Sequence, residues 1–206
     1  MGVFLWALIG YVAGTLPSTW IVATRRGRQD VLDAVRRDAG EADAHVLLQK
    51  AAGRAASLAA ALDILKAFTP VILATRLTGP YEIAACAIGT VAGHCWPPYL
   101  SRYAGRGLAA SSGAFLGFVP LEMVIAGIAR VVGARFKAGG LSSTIGFAAI
   151  PLIAWWRGQP LPYLVASGAI NVLVFARRLE GISADLAAGV PLPEAAFRRV
   201  VFDASR

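Results

Sequence analysis

Apolar runs set the limits on what this chain can become. Residues 3–23, 55–77, 82–96, 108–118, 121–132, 145–156 and 162–176 are dominated by Ala, Leu, Ile, Val, Gly and aromatic side chains, with short polar stretches between them. At about 1.5 Å per residue, the two longest can cross a hydrocarbon core of about 30 Å. Backbone N–H and C=O groups in lipid must be satisfied within the segment, so these runs are helices. Run 108–118 is too short to cross alone unless the region thins, and with 121–132 it reads as a pair of half-helices. Composition agrees: the 206 residues are 57% hydrophobic and only 16% charged, where a soluble domain carries about 25% charge. The sequence predicts an all-α, polytopic membrane helix bundle of about seven spans, a single integral domain over 1–206.

The formal net charge is +8. The arginines sit between apolar spans, as topology and lipid-headgroup contacts require, and no separate basic face is visible, so no nucleic-acid partner is expected. Membrane lipids are the expected surroundings. With the N-terminus outside and seven crossings, 17 of the 20 Lys and Arg residues fall inside. Six crossings would put either the first basic loop or the tail outside, against the positive-inside bias. The expected location is therefore the plasma or cell inner membrane, multi-pass, with the C-terminus inside and 108–132 crossing twice. Segment 24–54 reads as a cytoplasmic amphipathic helix on the membrane surface, with Leu32, Val35, Ala39 and Ala42 at helical spacing. Residues 177–206 read as a polar, weakly amphipathic cytoplasmic tail. Cys86 and Cys95 have no further thiol partners, so neither a disulfide nor a metal or cofactor site is expected. The N-terminus lacks a basic leader and a small-residue cleavage site and reads as a retained span.

Chemistry concentrates where the apolar pattern fails. Residues 93–113, GHCWPPYLSRYAGRGLAASSG, place His94, two prolines, Arg102, Arg106 and several glycines between apolar runs. Gly14-Thr15-Leu16-Pro17-Ser18 interrupts the first span, where Pro17 removes a donor, either as a tolerated membrane proline or as a kink that turns the hydroxyls of Thr15 and Ser18 toward a cavity. Asp63 and Lys66 are three apart on one helix face and can pair. A helix beginning near 107–112 would aim free N–H groups at an anion. Thr15, Ser18, Lys66, His94, Arg102, Arg106, Arg130, Arg135 and the glycine backbone at 105 and 107 form a set of donors and cations. Such a set suits phosphate or carboxylate. No Ser-His-Asp set, metal-binding H-E-x-x-H or P-loop is present. Residue chemistry alone supports an anion or lipid-phosphate site and names no reaction.

The chain resembles the bacterial acyl-phosphate:glycerol-3-phosphate acyltransferases, integral membrane enzymes that make lysophosphatidic acid. The matching pieces run along nearly the whole chain in the family's order. Gly14-Thr15-Leu16-Pro17-Ser18 is similar to G-S-I-P-T/S, and Leu62-Asp63-Ile64-Leu65-Lys66 with Pro70 to L-D-x-L-K-G-x-x-P. Gly93-His94-Cys95-Trp96-Pro97 with Gly105-Arg106-Gly107-Leu108-Ala109 is similar to G-H-x-x-P … G-K-G-V-A. Arg130 and Leu141-Ser142-Ser143 echo T-R-Y-V-S-L-S-S. The stretch from Arg177-Arg178 to Gly189 resembles R-H-x-x-N-I-x-R-L-L-x-G. The resemblance implies transfer of an acyl chain from acyl phosphate to glycerol 3-phosphate, or another phosphorylated acceptor, in phospholipid biosynthesis. It implies phosphate binding by Lys66, Arg106, Gly105, Gly107, Arg102 and Arg130. Thr15 and Ser18 would make polar contacts to acceptor or donor, and His94 would orient the loop or assist proton transfer. Catalysis would rest on positioning, with no acyl-enzyme and no cofactor.

Where the family pattern has G-S-G-N-x-G-A-T-N, residues 37–45 read RDAGEADAH. Asp38, Glu41 and Asp43 repel phosphate. The alternative is therefore a non-catalytic homologue, a membrane scaffold or lipid-binding partner subunit that keeps the fold.

Overall fold

The computed structural model describes residues 2–37, 53–136, 139–180, 182–197 and 199, and contains helices but no strands among them. The chain packs as two compact units, Met1–Phe118 and Val119–Arg206. The first holds α1 (Gly2–Gly14), α2 (Ser18–Arg25), α3 (Gln29–Arg37), α4 (Gly53–Leu77), α5 (Pro80–Cys95), a 3-10 turn (Ser101–Tyr103) and α6 (Leu108–Phe118). The second holds α7 (Pro120–Arg135), α8 (Gly139–Trp156), α9 (Leu161–Leu179), α10 (Ile182–Ala187) and α11 (Leu192–Phe197). Large apolar side chains face outward along most long helices, including Phe4, Leu65, Leu73, Ile128, Leu152 and Val172. Apolar surface on that scale marks a face that meets lipid or protein, and outward-facing apolar side chains on helix after helix fit a membrane protein.

Glycines decide how the first unit closes. Lipid tails are as apolar as leucine, so helices associate in membranes by close backbone approach at small residues. A Cβ on Gly10 would lie 2.2 Å from the Cys86 carbonyl oxygen, and one on Gly14 2.1 Å from that of Thr90. Reciprocally, a Cβ on Gly89 would lie 2.2 Å from the Ala7 oxygen, and one on Gly93 2.1 Å from that of Tyr11. Two G-x-x-x-G faces, one on α1 and one on α5, are thus pressed backbone to backbone. A third, Gly113 and Gly117 on α6, meets the Ile64 backbone and the Val71 side chain of α4. Buried Pro70 lies inside α4 without ending it.

The polar segment after α2 begins with a helix whose start packs on the rest of the unit. On α3, Val31 and Leu32 are 3% and 4% exposed, packed with Val22, Ala23, Ala55, Ala56, Ala59 and Tyr103. Val31 and Leu32 on this helix close on protein, because α2, the start of α4 and the 3-10 turn offer them a matching apolar floor. Residues 38–52, which include most of the RDAGEADAH run, His45 and Lys50, lie outside the described residues.

In the second unit, Glu122 in the first turn of α7 is fully buried. Its Oε1 accepts from Arg157 Nη1 at 2.9 Å and Gln159 Nε2 at 3.2 Å, tying α7 to the turn after α8. Asn171 Nδ2 donates to the Phe147 carbonyl at 2.9 Å, and Arg178 Nη1 to Thr144 Oγ1 at 3.2 Å, joining α9 to α8. The tail is more structured than its weak amphipathicity suggests. It forms α10 and α11, and the Arg199 guanidinium pairs with Asp185 and donates to the Glu180 carbonyl.

Candidate active site

The site begins at the break between α1 and α2. Pro17 cannot donate a backbone hydrogen bond, α1 stops at Gly14, and α2 restarts at Ser18, whose N–H donates to the Leu16 carbonyl at 3.0 Å. Carbonyls at a helix end need partners. Lys66 Nζ, from α4, donates to the Leu16 oxygen at 2.5 Å. The same ammonium lies 2.8 Å from Asp63 Oδ1, and the two side chains are only 7% and 8% exposed. Asp63 Oδ1 in turn sits 3.4 Å from His94 Nδ1 on α5. Lys66 and His94 thus meet at one carboxylate oxygen.

The far edge of the His94 ring carries the loop. A Cβ on Gly105 would stand 2.1 Å from His94 Nε2, so the loop backbone rests on the imidazole and a side chain there would displace the ring or the loop. Gly107 is buried and has φ +92°, a conformation that glycine adopts freely. It hands the chain directly into α6, whose first-turn N–H groups point toward the loop. The Gly14–Thr90 contact also brings the end of α1 against the His94 backbone nitrogen. The glycine faces of α1 and α5 therefore bring the helix break, Asp63, Lys66, His94 and the 105–107 loop into one chain of contacts.

Two tyrosines strap the loop to α1. Tyr11 OH donates to the Trp96 carbonyl at 2.8 Å. Thr15 Oγ1 donates to the Val12 carbonyl at 2.7 Å and lies 2.8 Å from Tyr99 OH. A hydroxyl has one proton, so Tyr99 is the donor to Thr15. Beside it Leu100 has φ 52°, left-handed backbone that a leucine rarely adopts.

Of the residues expected in the site, Thr15, Ser18, Lys66, His94, Gly105 and Gly107 fall in this region of the first unit. Thr15 and Ser18 are each 4% exposed and His94 is 6% exposed. Arg106 is half-buried on the loop between the two glycines. Arg102 lies on the 3-10 turn, and its side chain is outside what is described. Arg130 belongs to the second unit, exposed on α7, and is not among the residues the first unit gathers. Asp63 as a junction between two elements, and Tyr99 as a donor to Thr15, were not expected. Spacing marks Asp63 only as the partner of Lys66, and Tyr99 follows two prolines with nothing in its spacing to mark it.

The model of the glycerol-3-phosphate acyltransferase family matches residues 4–188. The chain belongs to that family. A glycerol-3-phosphate acyltransferase of Rubrobacter xylanophilus is 30% identical over 182 residues, 87% of this chain and 89% of the relative. One from a Synechococcus strain is 30% identical over 192 residues, 93% of each chain. One from Pseudomonas aeruginosa is 31% identical over 174 residues, 82% and 89% of the two chains. The fold is that of the crystal structures of PlsY, an integral membrane glycerol 3-phosphate acyltransferase. The glycerol 3-phosphate form superposes with TM-score 0.75 at 20% identity, over 93% of this chain and 95% of that one. The lysophosphatidic acid form gives 0.73 at 19%, over 96% and 100%.

Proposed function

We propose that the protein transfers an acyl chain from acyl phosphate to glycerol 3-phosphate, giving lysophosphatidic acid. The observation that carries this reading is the contact chain from the Leu16 carbonyl through Lys66, Asp63 and His94 to Gly105. In a member of this family, it sets a broken helix bearing buried hydroxyls beside a glycine loop bearing Arg106. An acyl phosphate is already activated, so the protein need only hold two anions in register. The glycerol hydroxyl oxygen forms the ester bond to the acyl carbon. The bond from that carbon to the phosphate oxygen breaks, and the hydroxyl proton leaves with inorganic phosphate. Arg106 and the loop amides hold phosphate, and the hydroxyls of Thr15 and Ser18 meet the acceptor or donor. His94, beneath Gly105, holds the loop. The working location is the cell inner or plasma membrane, with the N-terminus outside and the site on the inner face.

The test is direct: purified protein in lipid receives acyl phosphate and labelled glycerol 3-phosphate. Lysophosphatidic acid and inorganic phosphate should appear together. Arg106→Ala, which removes a charge-assisted phosphate contact, should lower kcat/KM by roughly 10- to 100-fold. Full turnover in both Arg106→Ala and His94→Ala would remove these assignments. A second reading is favoured by one observation, the acidic RDAGEADAH run. On that reading the chain is a non-catalytic homologue, a membrane scaffold or lipid-binding partner subunit that forms no lysophosphatidic acid, and the same assay separates the two.

A further inference from the structure

Asp63 is 5% exposed, a depth at which a carboxylate is costly unless opposing groups meet it. Two nitrogens on different helices share one of its oxygens, Lys66 Nζ at 2.8 Å and His94 Nδ1 at 3.4 Å. Each of these partners holds a different stretch of backbone. Lys66 holds the Leu16 carbonyl, in the break that bears Thr15 and Ser18. His94 lies directly beneath Gly105, next to Arg106. An unprotonated Nδ1 would set its lone pair against the carboxylate, so Nδ1 carries a proton in either charge state of the ring. That fixes the ring, and Nε2 is the atom presented to the loop.

We propose that Asp63 is a positioning residue that fixes the helix break and the 105–107 loop in one geometry, through Lys66 on one side and Nδ1-protonated His94 on the other. It thereby sets the spacing between the groups that receive a phosphorylated substrate. This role rests on the acyltransferase reading for its consequence in turnover, but not for its geometry.

Single variants at Asp63 or Lys66 leave a buried charge unmatched and risk unfolding. Two charge-free pairs avoid that, D63N/K66M and D63L/K66M. Both lose the clasp on Leu16, and they differ only in whether position 63 still offers His94 an acceptor oxygen. Each is made together with His45→Gln, which leaves His94 as the one histidine of the two in the chain. Nitrogen-15 NMR of labelled protein in lipid then reads the tautomer, and amide hydrogen exchange reads the loop. D63N/K66M should keep the proton on Nδ1 and slow exchange at 105–107. D63L/K66M should move the proton to Nε2 and exchange faster, with kcat/KM for glycerol 3-phosphate lower by up to roughly 100-fold. The same tautomer in both pairs, or equal loop exchange, would overturn the proposal. A parent protein that makes no lysophosphatidic acid would sink the acyltransferase reading alone, since the tautomer and exchange comparisons need no turnover.

Discussion

A lysine ammonium has three N–H donors. In Lys66 one is given to the Leu16 carbonyl and a second direction is taken by Asp63. A residue so engaged, 7% exposed, is as much a clasp as a ligand. Lys66→Met should therefore lower stability by about 3–5 kcal/mol, because it strips one partner from a buried pair. Arg106→Ala, on the half-buried loop, should cost only about 1 kcal/mol while reducing transfer. Thermal unfolding in detergent with added lipid distinguishes them. If Lys66→Met melts with the parent and only transfer is lost, Lys66 belongs to the substrate and not to the helix break. The pairing of Asp63 with Lys66 was legible, because three-residue spacing puts both on one helix face. The contact from Asp63 to His94 was not, because it joins α4 to α5 and depends on how deeply those helices interlock.

The elements themselves were readable from apolar run length and from proline and glycine placement. The run at 108–118 became α6 with the same bounds, and Pro120 starts α7. What the pattern did not reveal is which helices meet, since G-x-x-x-G marks a face without naming its partner. At Gly89 the obstruction to a side chain is the Ala7 carbonyl, at 2.2 Å, and backbone cannot turn aside as a flexible side chain can. Gly89→Ala should therefore push α1 and α5 apart and cost about 3 kcal/mol, the upper end of overpacking. Since α1 leads to Thr15 and α5 carries His94, the same variant should lose acyl transfer at temperatures where it remains folded. Gly168→Ala on α9, where an added Cβ meets nothing within 4 Å, is the control. It should be neutral or gain up to about 1 kcal/mol of helix propensity. Equal melting of the two variants in lipid would mean that the glycine faces do not hold α1 to α5. For α3, helical spacing revealed an amphipathic helix but not its floor, which comes from Ala55, Ala56 and Ala59, distant in the chain.

For the whole molecule, the distribution of basic residues makes the strongest demand. Seven crossings with the N-terminus outside keep the loop after α2, the 97–107 loop and the tail on one side. Each basic loop moved outward works against the positive-inside bias. The native thiols Cys86 and Cys95 are both fully buried, so background labelling by an impermeant maleimide should be low. Single cysteines at the exposed positions Gln29, Ser101, Tyr81 and Leu161 then report each side. In intact spheroplasts Tyr81→Cys and Leu161→Cys should label. Gln29→Cys and Ser101→Cys should label only after permeabilisation. Leu161 is the decisive position, because it follows both α6 and α7. If those two helices made one crossing between them, Leu161→Cys would be protected and the tail would face outward. Tyr81 and Ser101 bracket α5, the helix that carries His94, and report independently on the face where the 105–107 loop lies. Labelling of Ser101→Cys from outside would turn the loop away from the cytoplasm and from any phosphorylated acceptor made there. Labelling at 81 and 161, with protection at 29 and 101, would leave a seven-crossing protein with the 105–107 loop on the cytoplasmic side.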